Sequence, residues 1–519
     1  MKSQLLRSAG RGIMVAGLLP FCLAAQAAPK SPAAFLIRDA LIYDGTGSEP
    51  VRGSVRVRDG KIQDVGDLKP NSGEAVVEGH GLALAPGFID THSHADEGFA
   101  EIDKGVREHP DALGSVSQGI TTVVVGQDGG EVYPLRDFFD GLEKNPVAVN
   151  VASYAGHNTI RQIVMGADFQ REATAEEVGR MSYILRQEMS AGALGLSTGL
   201  EYDPGIYSAP SEVLALARVA AGYKGRYISH MRSEDRYFWK ALDELITIGR
   251  ETGMPVQVSH IKLAMRDLWG KADSLVGVMD AARASGVNIS ADIYPYPYWH
   301  STLTVLFPDR DYEDRKAAEF AVTQVSTPEG LLLDHYEPTP ALQGRTVGYA
   351  AKELGVDSVT ALIELVRRIH QLEKEHGSVN ESVIGTSMTE PDIERLMRWP
   401  NTNFCTDGEL DGGHPRGFGT YPRILGRYVR ERNVLSLAEA VHKATALAAE
   451  HMGFTDRGRI AKGLAADLVL FDPSTVIDNA TTEKPHELST GIVAVWVNGI
   501  PVFENGAETG TRPGAVIRR

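Results

Sequence analysis

Residues 35–85 alternate apolar and polar positions and are rich in turn residues. Phe35-Leu36-Ile37 and Ala40-Leu41-Ile42-Tyr43 lead to Asp44-Gly45, and Val51 to Val57 alternates up to Asp59-Gly60. Ile62 to Val65 and Ala75 to Val77 continue the pattern. A period of two with Asp-Gly punctuation predicts short antiparallel strands. The texture returns near the C-terminus, in Ala466 to Phe471, in Val493 to Val497 before Asn498-Gly499, and in Pro501-Val502-Phe503. Two β-rich ends around a long middle predict one discontinuous β-sandwich domain, formed from residues 35–85 and 455–505.

The middle, residues 86–450, changes texture. Short β-branched runs at 85–91, 120–126, 147–153, 192–197, 226–230, 255–260, 287–293 and 401–406 alternate with helical stretches. Those stretches include Thr174 to Met189, Ser211 to Ala221, Tyr237 to Gly249, Asp357 to Leu372 and Pro391 to Met397. Eight such strands favour an α/β fold of the (β/α)8, TIM-like kind over an open doubly wound sheet. No GxGxxG follows the first strand, which argues against a dinucleotide site. Residues 305–350 are less regular and proline-bearing, as expected of an insertion between the last two strands, and Glu373 to Asn380 is a polar linker.

The remaining composition narrows the class. The chain has 519 residues, 52 Lys+Arg and 68 Asp+Glu, for a formal charge of -16. Such a balance disfavours a nucleic-acid groove or an anionic membrane surface as partner. The first 27 residues read as a secretory signal peptide. Lys2, Arg7 and Arg11 form the basic region, Gly12 to Ala25 is mostly apolar, and Ala25-Gln26-Ala27 is a small-x-small cleavage site. The apolar run is too short for a membrane anchor. Cleavage leaves 49 basic against 68 acidic residues, a charge of -19, and Cys405 as the one remaining cysteine. The expected compartment is the periplasm, with no internal disulfide. Oligomeric state is not readable.

The chemistry gathers at the predicted strand ends. Alternation in Asp90-Thr91-His92-Ser93-His94 puts His92 and His94 on one side, facing the barrel mouth. Ser229-His230 and Ser259-His260 end two later strands, and Asp407 ends the last. Imidazoles and carboxylates there can hold a divalent metal, or a pair, that activates hydroxide and polarises a carbonyl. Each histidine taken singly is also compatible with an ordinary core or rim role.

With these motifs in this order, the chain resembles the amidohydrolase superfamily, and within it the N-acyl-D-amino-acid deacylases. Gly192 to Leu200, Tyr202-x-Pro204-Gly205, Ser229-His230-Met231-Arg232, His414-Pro415-Arg416 and Gly419 to Arg423 are the marks of that branch. The resemblance implies a TIM-like metallo-dependent hydrolase barrel with metal ligands His92, His94, His230, His260 and Asp407. It implies zinc first, one or two ions, with manganese or cobalt as alternatives. That branch carries a ligating cysteine after strand two. Here Asp128 stands in its place, in Gly126-Gln127-Asp128-Gly129, as a harder donor or as a turn residue. The resemblance further implies that Lys262, Tyr294 and Arg416 contact the free carboxylate of an N-acyl-D-amino acid, with His157 lining the pocket. Salt bridges and aromatic wall packing are the bland alternatives for these four. The implied reaction is amide hydrolysis with Asp407 as general base and acid. A dipeptidase or hydantoinase-like amidohydrolase is the runner-up, and a non-catalytic exported binding protein a third reading.

Overall fold

The computed structural model describes residues 34–100 and 107–519. The expected leader over residues 1–27 lies outside the described residues.

Eight parallel strands build the centre of the molecule: β1 (Phe88–Asp90), β2 (Ile120–Val125), β3 (Asn150–Ser153), β4 (Gly195–Gly199), β5 (Arg226–His230), β6 (Val256–Val258), β7 (Ile289–Ile293) and β8 (Thr402–Phe404). Neighbours pair in chain order. The chain after β3 continues as Ala155–Gly156, and that short piece makes the pairing to β4. The ring closes between β8 and β1. Asp407 N donates to His92 O at 2.9 Å, and Thr406 N donates to the Asp90 carboxylate at 2.8 Å. The Tyr421 hydroxyl lies 2.8 Å from Ile89 O and 3.1 Å from Phe404 O, across the same seam. All eight predicted strands overlap observed ones. Their apolar runs follow from burial on both faces, since β2, β3 and β4 have no exposed residue.

Both chain ends contribute to one nine-stranded sheet. Ala83–Pro86 pairs with Leu468–Phe471 and joins the N-terminal strands to the C-terminal ones. Ala34–Ile42 pairs antiparallel with Val51–Arg58 but parallel with Ala75–Glu78 and Ala83–Pro86. The antiparallel expectation therefore fails at these two pairs, because alternation reports one buried face and not strand direction. Gly87 links this sheet to β1. A Cβ there would meet the Thr121 side chain at 2.2 Å, so the link has no room for a side chain.

The insertion is larger and more ordered than residues 305–350. Tyr298–Ser301, Glu381–Thr386 and Leu331–Tyr336 form their own antiparallel sheet between β7 and β8. The helix Ser358–His376 packs beside it, capped by the Asp357 carboxylate and ended by Gly377 at φ +84°. The polar stretch expected as a linker over Glu373 to Asn380 thus begins as the last turn of that helix, to His376, and is a loop only from Gly377 to Asn380. Its charge reflects an exposed face, not an absence of structure.

Candidate metal centre and active site

Loops after the strands carry the site, as the barrel geometry requires. His92 and His94 follow β1, Asp128 follows β2, His230 ends β5, His260 follows β6, and Asp407 follows β8. Asp128, His260 and Asp407 have φ of +51°, +33° and +51°. Non-glycine residues seldom adopt this conformation, and here it falls at three of the turns that carry the converging side chains. The His260 turn is held by its own N–H, which donates to Asp292 Oδ1 on β7 at 2.5 Å.

The six side chains converge. Nε2 of His92 lies 3.4 Å from Asp128 Oδ1 and 3.2 Å from Asp407 Oδ1. Nε2 of His94 lies 3.5 Å from Asp128 Oδ2 and 3.3 Å from Asp407 Oδ1. Nε2 of His260 is 3.5 Å from Asp128 Oδ1 and 3.1 Å from Nδ1 of His230. Asp128 therefore stands among the histidines, where a shared donor belongs. One donor atom each from His92, Asp128, His260 and Asp407 lie within 4.8 Å of one another.

This donor set fits a divalent metal. His92 Nε2 and Asp128 Oδ1 are buried at its centre without a hydrogen bond. The outward nitrogen of His230 faces Glu201 Oε2 at 2.9 Å, and that of His260 faces Glu234 Oε1 at 3.1 Å. Carboxylates behind imidazoles hold the proton on the outer nitrogen and free the inner lone pair for a metal. Lys262 Nζ also approaches His260 Nδ1, at 2.6 Å. That contact requires a bare Nδ1, so the two arrangements exclude each other, and a metal-ligating His260 keeps its Nδ1 proton for Glu234.

The electrostatics agree. Burial alone would lower His92, but the carboxylates of Asp128 and Asp407 outweigh it and push the imidazole up to about 10. Burial works against charge on Asp407, yet Arg416, His260 and His92 hold its carboxyl well below the usual range. Burial and Lys262 pull His260 down, while Glu234, Asp407 and Asp128 raise it to about 8. Two carboxylates, Asp407 buried and Asp128 nearly so, demand positive charge, which protons on the histidines or a divalent cation can supply, so metal binding releases protons.

Around the centre lie the expected recognition groups. Arg416 Nη1 donates to Asp407 Oδ2 at 2.5 Å, and its Cζ lies 5.0 Å from the Tyr294 ring centroid. His414 fixes the arginine backbone, with its Nδ1 accepting Arg416 N at 3.0 Å and its Nε2 donating to Tyr298 O at 3.1 Å. Lys262, Tyr294 and Arg416 all line the inner cleft. His157 does not. It is fully buried at the start of the helix His157–Met165, with Nε2 2.9 Å from Glu212, which also pairs with Arg161. Its place at the end of a strand suggested the pocket, but a buried acid on a neighbouring helix turns the ring away. Glu201 and Glu234 were not anticipated. Glu234 sits four residues beyond His230, a spacing that signals nothing until the loop is folded.

The amidohydrolase family pattern matches residues 75–322 and 401–503. The chain belongs to the amidohydrolase family. It is 33% identical to D-aminoacylase of Alcaligenes xylosoxydans xylosoxydans over 513 residues, covering 94% of this chain and 98% of the relative. It is 35% identical to N-acyl-D-glutamate deacylase of the same organism, covering 93% and 96%. The crystal structure of N-acyl-D-glutamate deacylase from Bordetella bronchiseptica, complexed with zinc and a phosphonate mimic of the reaction tetrahedral intermediate, superposes with a TM-score of 0.82 at 35% identity. It covers 93% of this amidohydrolase and 99% of that chain. D-hydantoinase, at 14% identity and a TM-score of 0.56, shares the fold alone.

Proposed function

We propose that this amidohydrolase is a metal-dependent hydrolase of N-acyl-D-amino acids, releasing a carboxylate and the free D-amino acid. The carrying observation is the convergence of His92, His94, Asp128, His230, His260 and Asp407, with Arg416 on the far oxygen of Asp407. The relatives similar over nearly the whole chain act on this substrate class by name, which supports the reading.

His92, His94, Asp128, His230, His260 and Asp407 would hold the metal, zinc first, with manganese or cobalt also suited to imidazole and carboxylate donors. When bound, it acidifies water and polarises the scissile carbonyl. Asp407 Oδ1 takes the proton of the attacking water and returns it to the departing amine, because Arg416 keeps the carboxylate ionised and fixed. Arg416 retains N–H donors beyond the one given to Asp407 and meets the substrate carboxylate. Turnover of paired N-acetyl-D- and N-acetyl-L-amino acids after loading with zinc, manganese or cobalt tests the reading. Preference for the L series, or hydrolysis of cyclic amides alone, would overturn it.

We further propose export to the periplasm after cleavage near Ala27, on the basis of the basic, apolar and small-residue segments in the leader. Among the described residues no helix is long and apolar enough to cross a membrane. N-terminal sequencing of protein from a periplasmic extract should begin at Ala28. An intact Met1 in the cytoplasmic fraction would refute export.

A further inference from the structure

The inner cleft presents two cations, and they are in different states. Arg416 gives Nη1 to Asp407, while its buried Nε has no hydrogen-bond partner. A guanidinium offers five N–H donors, so it can serve Asp407 and a substrate carboxylate together. The Tyr294 hydroxyl, also buried and without a partner, belongs to the ring beside that guanidinium. Lys262 is committed. Its ammonium lies 2.8 and 2.7 Å from the two oxygens of Glu234. Lys262 is 4% exposed and Glu234 7%, so this one-to-one charge pair is out of solvent. Moving Lys262 onto a substrate anion would take the one full cation off Glu234 and leave that buried carboxylate only the imidazoles of His260, at 3.1 Å, and His230, at 3.9 Å.

The other acids of the cleft are also engaged within the protein. Glu201 meets His230 at 2.9 Å, and Asp235 accepts from Ser233 at 2.7 Å. The rest of the lining offers no uncommitted charge: Tyr202 and Ser301 carry neutral hydroxyls, His300 faces Asp334 Oδ2 at 3.2 Å, and the remainder is apolar. Trp299, Val305, Leu306 and Val325 come from the insertion, and Ala264 from the loop after β6. Arg236 on the loop after β5 sits 3.9 Å over the Phe320 ring of the insertion, which fixes this wall against the barrel.

We infer that the substrate side chain is neutral and apolar, and that Glu234 excludes acidic D-amino acids by neutralising Lys262. This rests on the deacylase reading and narrows it: the substrate carries one carboxylate, and Arg416 receives it. Overall identity does not decide the point, since relatives acting on D-glutamate and on D-aspartate are each 35% identical and D-aminoacylase 33%.

The test is kcat/KM of the zinc-loaded full-length enzyme for the N-acetyl derivatives of D-leucine, D-methionine, D-glutamate, D-aspartate and D-lysine. Leucine and methionine should exceed glutamate and aspartate by roughly 100-fold, because a second carboxylate would enter an apolar wall unpaired. D-glutamate within about tenfold of D-leucine, or D-lysine ahead of it, would overturn the side-chain assignment and leave the deacylase reading standing. No turnover of any D-substrate with metal bound would sink both. Val305→Lys, at a half-buried position of the wall, adds an ammonium to the cleft beyond the one that Glu234 already holds. The leucine-to-glutamate ratio should fall by about tenfold or more. An unchanged ratio in a folded V305K protein would place the side chain elsewhere and refute the inference.

Discussion

Asp407→Asn separates proton handling from architecture with little disturbance of the backbone. Asp407 has φ of +51°, a conformation that Asn tolerates as readily as Asp. The carboxylate divides its work between two oxygens. Oδ2 accepts from Arg416 at 2.5 Å, and Oδ1 lies 3.2 and 3.3 Å from His92 and His94. An amide has one oxygen. If that oxygen faces Arg416, an NH2 group faces the histidines and cannot accept the proton of water. If it is reversed, the NH2 group opposes the guanidinium. General-base catalysis contributes about 10²- to 10⁴-fold, so kcat should fall by that factor, or about 3–5 kcal/mol on the barrier. Losing the charge partner of buried Arg416 should also lower the melting temperature. The assay is amine release from N-acetyl-D-methionine, with metal content measured on the same sample. A variant that holds the wild-type complement of metal and keeps more than about a tenth of the wild-type kcat would refute the role.

Other expectations follow from the same geometry. Arg416→Ala should raise KM for N-acetyl-D-methionine by roughly 10- to 100-fold and erase the preference for the acid over its carboxamide. An unchanged preference, measured by competing the two substrates, would remove Arg416 from recognition. His157→Gln breaks a buried bond to Glu212 and should cost about 1–3 kcal/mol of stability in denaturant melts. A loss confined to kcat/KM, with the melt unchanged, would return His157 to the substrate site. Burial raises the Glu381 carboxyl to about 7. A raised acid weakens folding as pH climbs from the unfolded value through the folded one, because the unfolded chain ionises first. Glu381→Gln should therefore stabilise the protein at pH 8, by at most about 3 kcal/mol, and change little at pH 4. Equal effects at both pH values would contradict this.

The strands and the converging side chains of the site were legible from sequence because each is local. A buried parallel strand is a short apolar run, and the donor sits at its end, so His92, His94, His230, His260 and Asp407 could be read from position alone. Asp128 was legible by its place after β2, although nothing in Gly-Gln-Asp-Gly states that its carboxylate stands between His92 and His260. What stayed hidden was pairing across the fold. Lys262 carries a charge that resemblance assigns to substrate, and only the folded loop after β5 brings Glu234 onto it. His157 is the mirror case, a polar residue at a strand end whose partner, Glu212, lies on another helix. The Tyr421 hydroxyl at the closing seam likewise depends on two strands far apart in sequence. The insertion was underestimated because its three strands pair with one another over long separations, which local texture does not record.

The central claim is that the six converging side chains hold a divalent metal that drives the reaction. Its most direct test is to strip the protein with chelator, return zinc in measured steps, and follow bound metal and hydrolysis of an N-acetyl-D-amino acid together. The account predicts no turnover in the stripped protein and recovery that tracks bound zinc, abolished when Asp128 and His260 are both replaced by Ala. Full activity in protein verified as metal-free would contradict it.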